Sequence, residues 1–150
     1  MDTMDVKGQA SVEYLLLALV FLIIIGLVSV PLISNAIGSS LDVSHSADAS
    51  AAINSIANAV GVVYSNGPGA KRTINVYFSR GGPVTYNSAT SAIQMSVYLN
   101  STATNKVVDA NVPIGVTFTG SNPVSNLTNY NATVTWASGT SNVNVALTPS

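Results

Sequence analysis

The sequence predicts an α+β protein: a long N-terminal α-helix, apolar in its first half and amphipathic in its second, with a small antiparallel β-sheet domain packed on its C-terminal half. Three observations predict it. Residues 14–41 carry no formal charge, a run longer than the roughly 20 residues a helix needs to cross a hydrocarbon core. From Leu41 the apolar residues recur at three- and four-residue steps, the spacing of a helix with one side to bury. After Ser65-Asn66-Gly67-Pro68-Gly69 the period drops to two, which is the period of strands. These shifts divide the chain into a leader (1–8), a long helix (9–64, amphipathic from about 41) and a β-rich extracellular head (65–150).

Composition narrows the function. The chain has 150 residues, of which 47% are hydrophobic and 7% charged, against about 25% charged in an ordinary soluble domain. Beyond the long helix there is length for one small domain. The hydrophobic excess lies at the N-terminus, while the later chain takes its polarity from Ser, Thr, Asn and Gly. A net charge of −1 provides no field for a polyanion, which excludes nucleic-acid binding. With no cysteine and one histidine, His45, disulfides and thiolate or imidazole metal clusters are excluded, and no cofactor is expected.

Three arrangements fit a polar leader followed by an apolar run. An ordinary secretory signal has a basic start, an apolar core of about 7–15 residues and a small-residue cleavage site, for which Ser34-Asn35-Ala36 serves. An uncleaved anchor is the second. The third depends on residue order: Lys7-Gly8 precedes Gln9-Ala10-Ser11-Val12-Glu13-Tyr14-Leu15-Leu16-Leu17, which fits Gln-x-Ser-x-Glu-x-x-x-Leu at Gln9, Ser11, Glu13 and Leu17. This stretch resembles the class III signal sequence of archaeal type IV pilins. It also resembles bacterial Flp-type pilins in the Gly8 and Glu13-Tyr14 spacing, but those chains are usually much shorter. The archaellin form of the signal differs after the glycine. The resemblance implies cleavage by a prepilin peptidase between Gly8 and Gln9, on the cytoplasmic side of the apolar run, so that the mature chain retains that run.

Glu13 is an acid at the head of a bilayer-length apolar segment, where a charge costs up to about 2.5–3.5 kcal/mol at the helix centre and less near an end. Placed at the membrane edge it reaches the headgroups and meets the positive end of the helix dipole. Cleavage would also create an α-amino group on Gln9 with a pKa of about 8. The resemblance implies that Glu13 of one subunit pairs with the Gln9 amine of a neighbour during assembly. Such a pair acts on register, since an unpaired buried charge is expensive. Cyclisation of an N-terminal Gln would remove that amine.

Pro31 interrupts the apolar run, removing one backbone bond and favouring a kink, with Gly26 and Gly38 weakening the helix on either side. Beyond it, Leu41, His45, Ala49, Ala52, Ile53, Ile56, Val60 and Val63 form the expected buried stripe. Asp42, Ser46, Ser50, Asn54 and Asn58 mark the expected polar side. His45 reads as a packed histidine.

Strands are expected at Ile74-Val76-Phe78, over Ile93–Leu99, and over 107–112, 114–119, 131–137 and 142–148, with Arg80-Gly81-Gly82-Pro83 as a turn. The last two strands join through Ser138-Gly139-Thr140-Ser141 as a hairpin, with Ala132, Val134 and Trp136 facing Val143, Val145 and Leu147. Gly67-Pro68-Gly69-Ala70-Lys71-Arg72 lacks phosphate-loop spacing and follows no strand. Asp48 and Asp109 are isolated acids, and no base accompanies the many serines, so an enzyme is not expected. Asn100, Asn126 and Asn131 begin glycosylation sequons, with Asn126 in the most loop-like context; a chain so rich in Asn, Ser and Thr yields several by chance.

The resulting expectation is a major pilin: a subunit stored in the membrane by its helix with a cytoplasmic N-terminus, then packed with copies of itself into a helical surface filament used for adhesion. Its partners would be its own copies, the prepilin peptidase and the pilus assembly machinery. A minor pilin, or a membrane-anchored extracellular binding domain that never polymerises, is the alternative.

Overall fold

The computed structural model describes residues 3–150, and side chains from Ser11 onward; Met1 and Asp2 of the leader, and the side chain of Gln9, lie outside that description. Helix α1 runs from Thr3 to Asn66, two residues past the expected end. The chain forms two compact units, the first ending at Ser40 and the second comprising Leu41–Ser150.

In the first unit the large apolar side chains from Val12 to Ile37 are all exposed. The helix is long and apolar enough to cross a membrane. It remains α-helical through Pro31, although the ring removes the N–H that would bond the carbonyl of Leu27.

The second unit packs residues 41–66 of α1 with seven strands: β1 (Lys71–Phe78), β2 (Val84–Asn87), β3 (Ala92–Leu99), β4 (Thr104–Asn111), β5 (Gly115–Gly120), β6 (Thr128–Thr135) and β7 (Asn142–Pro149). The sheet is divided in two. One has four strands in the order β1-β6-β7-β5, the other three in the order β2-β3-β4. Neighbours are antiparallel except β5 and β7. That parallel pair arises because β6 skips one place and the following hairpin returns β7 into the gap, sparing a separate crossover helix. In the hairpin Ala132 faces Leu147 and Val134 faces Val145, as the alternation predicts. Strand β2 was not expected: four residues after Gly-Gly-Pro carry too little alternation to read, and β3 recruits them through Val84–Met95 and Tyr86–Ile93. Strand β4 begins three residues before its expected start, because ladder pairing continues into Thr104, Asn105 and Lys106, whose side chains carry no hydrophobic signal; β6 likewise begins three residues early, at Thr128, and so includes the buried Tyr130.

The inner faces of both sheets close on the helix. Ile53, Ile56, Val60 and Val63 are 0–1% exposed. They share one core with Phe78, Tyr130, Val134 and Val145 of the larger sheet and with Ile93, Met95 and Val97 of the smaller. Phe78 meets Tyr130 edge to face at 5.9 Å, a favoured aromatic geometry. On one flank of the helix a groove separates Ser46 and Ser50 from Lys106–Asp109 of β4. On the other, a groove separates Asp48 and Ser55 from Asn75–Tyr77 of β1. Away from the helix the two sheets meet where β2 approaches β5. There the Gly82–Val124 bridge joins them, and Asn122 acts as a substitute strand. Its Oδ1 accepts the Val84 N–H at 2.9 Å and its Nδ2 donates to the Val84 carbonyl at 2.7 Å.

The stripe makes a direct prediction. Ile56→Ala should destabilise the head by about 2–5 kcal/mol through lost burial and a residual cavity. Val62→Ala, at a 39% exposed position, should cost less than about 0.5 kcal/mol. Urea unfolding of the detergent-solubilised chain, followed by Trp136 fluorescence, measures both.

Candidate functional site

Two regions hold the residues singled out in the sequence: the start of α1 and the loops of the head. At the start of α1, Ser11, Glu13 and Leu17 are exposed on the helix. Glu13 and Leu17, four residues apart, share a face with Leu16 and Val20, as helical spacing requires. A single carboxylate therefore lies on an otherwise apolar helix surface. The backbone at Gly8 and Gln9 is helical.

The three sequons differ in environment. Asn100 is exposed at the turn between β3 and β4, and Thr102 and Thr104 in that turn share a hydroxyl hydrogen bond of 2.7 Å. Asn126 is exposed before β6, with its Oδ1 accepting the Gly81 N–H. Asn131 is half-buried within β6; its Oδ1 accepts from Asn75 Nδ2 at 3.3 Å and its carbonyl accepts from the Thr148 hydroxyl at 3.3 Å.

The first helical turn of the head overturns one expectation. Leu41 is 53% exposed, whereas Asp42 and Ser46, assigned to the polar side, are 4% and 6% exposed. Helical geometry explains the reversal. Asp42 precedes Ala49 by seven residues and Ile53 by eleven, close to two and three whole turns, while Leu41 falls roughly 80° away from Ala49. Residue types extended the stripe toward Leu41, and the backbone angle extended it toward Asp42.

Burying a carboxylate requires partners, and the β3–β4 turn supplies them. Asp42 Oδ1 accepts the Asn100 N–H at 3.0 Å and Oδ2 the Ser101 N–H at 2.7 Å. The Ser101 side chain and N–H hold the carboxyl below its ordinary value of 3.8, with the Asn100 N–H and the positive charge of Arg80 adding to the effect and desolvation opposing it. The helix is thus fastened to a turn 58 residues later in the chain. A polar residue seven and eleven positions ahead of core residues was the signal that sequence reasoning passed over.

His45 is half-buried, and its Nδ1 is buried without a hydrogen-bond partner, as is the Ser79 hydroxyl. At the far end of the helix, Tyr64 stacks on Trp136 at 5.6 Å, and Trp136 Nε1 donates to the Thr140 carbonyl at 3.0 Å. The Tyr130 hydroxyl accepts the Ser125 N–H at 2.8 Å. Among the described residues, no three His, Cys, Asp or Glu side chains come together as a metal site requires.

Comparison with family profiles, curated proteins and solved structures finds no match to this chain. The architecture itself, a long N-terminal apolar helix followed by a small β-sheet domain, is compatible with a pilin-like fold.

The Asp42 contact has a defined pH dependence. Because the folded carboxyl titrates below its unfolded value, its contribution to stability is complete above about pH 4 and is lost as pH falls through the lowered value. Asp42→Asn should unfold at lower urea than the native chain at pH 7. The difference between the two should shrink progressively as pH falls from about 4 through the lowered value, as parallel urea titrations would record.

Proposed function

We propose that the chain is the major structural subunit of an archaeal type IV pilus-like surface filament, used for adhesion. In this reading a prepilin peptidase removes residues 1–8. The apolar part of α1 then anchors the subunit in the membrane until assembly, when it leaves lipid for the company of identical helices. The head becomes the filament exterior, and its surface sequons become accessible to modification.

The observation that carries this reading is the helix surface from Val12 to Ile37. It is apolar on every side and exposed, and it begins at a Gln-x-Ser-x-Glu motif. A helix apolar all round requires either lipid or other helices around it, and the class III signal resemblance supplies both in sequence. Glu13 contributes through register. A subunit entering out of step would leave its carboxylate without the Gln9 amine of a neighbour, at a cost far larger than the net gain from a correct pair. We assign no enzymatic activity to the head.

Processing and assembly are separable in experiment. N-terminal sequencing of subunits from sheared surface filaments should give Gln9 as the first residue. A start at Ile37 would indicate an ordinary secretory signal, and an intact Met1 a simple anchor. Glu13→Ala should still be cleaved and inserted in the membrane, yet yield far fewer filaments by electron microscopy. Normal filaments from that variant would remove Glu13 from the assembly mechanism.

A further inference from the structure

Two unpaired sheet edges flank the helix in the head. Strand β1 pairs only with β6, and β4 only with β3. Such edges present free N–H and C=O groups and invite pairing with another chain. The two run in opposite directions along the helix. The start of β1 follows the turn near Tyr64 and Trp136, where Gly69 N–H donates to the Trp136 carbonyl. By Asn75–Tyr77 it lies beside Asp48 and Ser55. It therefore descends toward the N-terminal end of this helix segment. Strand β4 leaves the turn fastened to Asp42, passes Ser46 and Ser50 at Lys106–Asp109, and reaches Asn111 beside Asn58 and Gly61. It ascends.

We propose that the free edge of β4 in one copy pairs antiparallel with the free edge of β1 in the next, in the register that sets Val76 opposite Lys106 and Thr73 opposite Asp109. The inference rests on the filament reading above, in which all helices share one axial direction. Under that condition a descending β1 and an ascending β4 meet antiparallel without inverting either subunit. In this register the rows that match also lie at similar heights beside the helix, since both β1 at Asn75–Tyr77 and β4 at Lys106–Asp109 flank the segment between Ser46 and Ser55.

Charge supports the same partner. The exposed start of β1 carries Lys71 and Arg72, and the exposed Asp109 of β4 comes diagonally across from Lys71. Lys106 comes opposite Val76, in the groove that Asp48 lines. Pairing β1 antiparallel with a second β1 would instead require one of the two subunits to be inverted, and an edge paired with itself closes as a dimer. The β4-to-β1 contact is heterologous: a joined pair keeps a free β1 edge on one copy and a free β4 edge on the other, so the chain of contacts continues around or along the filament.

The chain has no cysteine, so an introduced pair reports on this contact alone. Asn75 and Val107 are exposed and directly opposed in the proposed register, within disulfide reach across an antiparallel pair. Filaments of the Asn75→Cys/Val107→Cys variant should, on mild oxidation, give a ladder of dimers, trimers and higher covalent multimers. An Asn75→Cys/Thr119→Cys control, which uses the edge of β5, should remain monomeric. Asp109→Lys should reduce filament yield, and Lys71→Glu added to it should restore the yield. Native-like Trp136 fluorescence identifies folded variants. Filaments of normal yield with no ladder, or Asp109→Lys filaments as abundant as the native ones, would overturn the edge contact alone. A native chain that is processed but never forms filaments would overturn both this inference and the reading on which it rests.

Discussion

Burial of one helical stripe, Ala49 to Val63, is the constraint on which the head depends. The two sheets have inner faces of Val, Ile, Phe and Met and no disulfide to hold them. The helix lies at the side where the edges of both sheets are open, and Ile53, Ile56, Val60 and Val63 complete a core that neither sheet closes alone. A domain of this size has little stability to spare. The segment that carries the head is therefore also part of its core, which joins folding to whatever positions the helix.

Each end of this helix segment is held differently. At Asp42 the fastening is electrostatic: a carboxylate receives two backbone N–H groups from a turn that would otherwise leave them unbonded. At Tyr64 it is aromatic, with Trp136 stacked on the last helical turn. Elsewhere, Asn122 bonds the backbone of Val84 at the start of β2, and the Tyr130 hydroxyl accepts the Ser125 N–H of the loop before β6. The outer face of the larger sheet includes paired amides and hydroxyls, such as Thr73 with Thr133 and Thr119 with Asn144. A low charge content is thus compatible with a polar exterior.

The N-terminal half of α1 obeys another rule. It has no polar face, so its solvent must be lipid or protein. Glu13 is the charged position at the head of this surface. In the proposed filament an apolar surface alone would permit helices to slide past one another, and this carboxylate would penalise the wrong offsets.

Much of this was legible in the sequence, because periodicity and breakers are local. The uncharged run, the end of the helix near Gly67, the alternation of β3 and β7 and the Ser138–Ser141 hairpin all rest on residues close together in the chain. What the sequence left undetermined depended on distant partners. The division into two sheets, the parallel β5–β7 pair and the recruitment of β2 follow from which strand edges meet, and polar ladder residues record none of that. Asp42 is the clearest case. Its residue type places it in water, and only the tertiary structure, by bringing the Asn100–Ser101 turn against the helix, gives a buried carboxylate the hydrogen bonds it needs to remain charged.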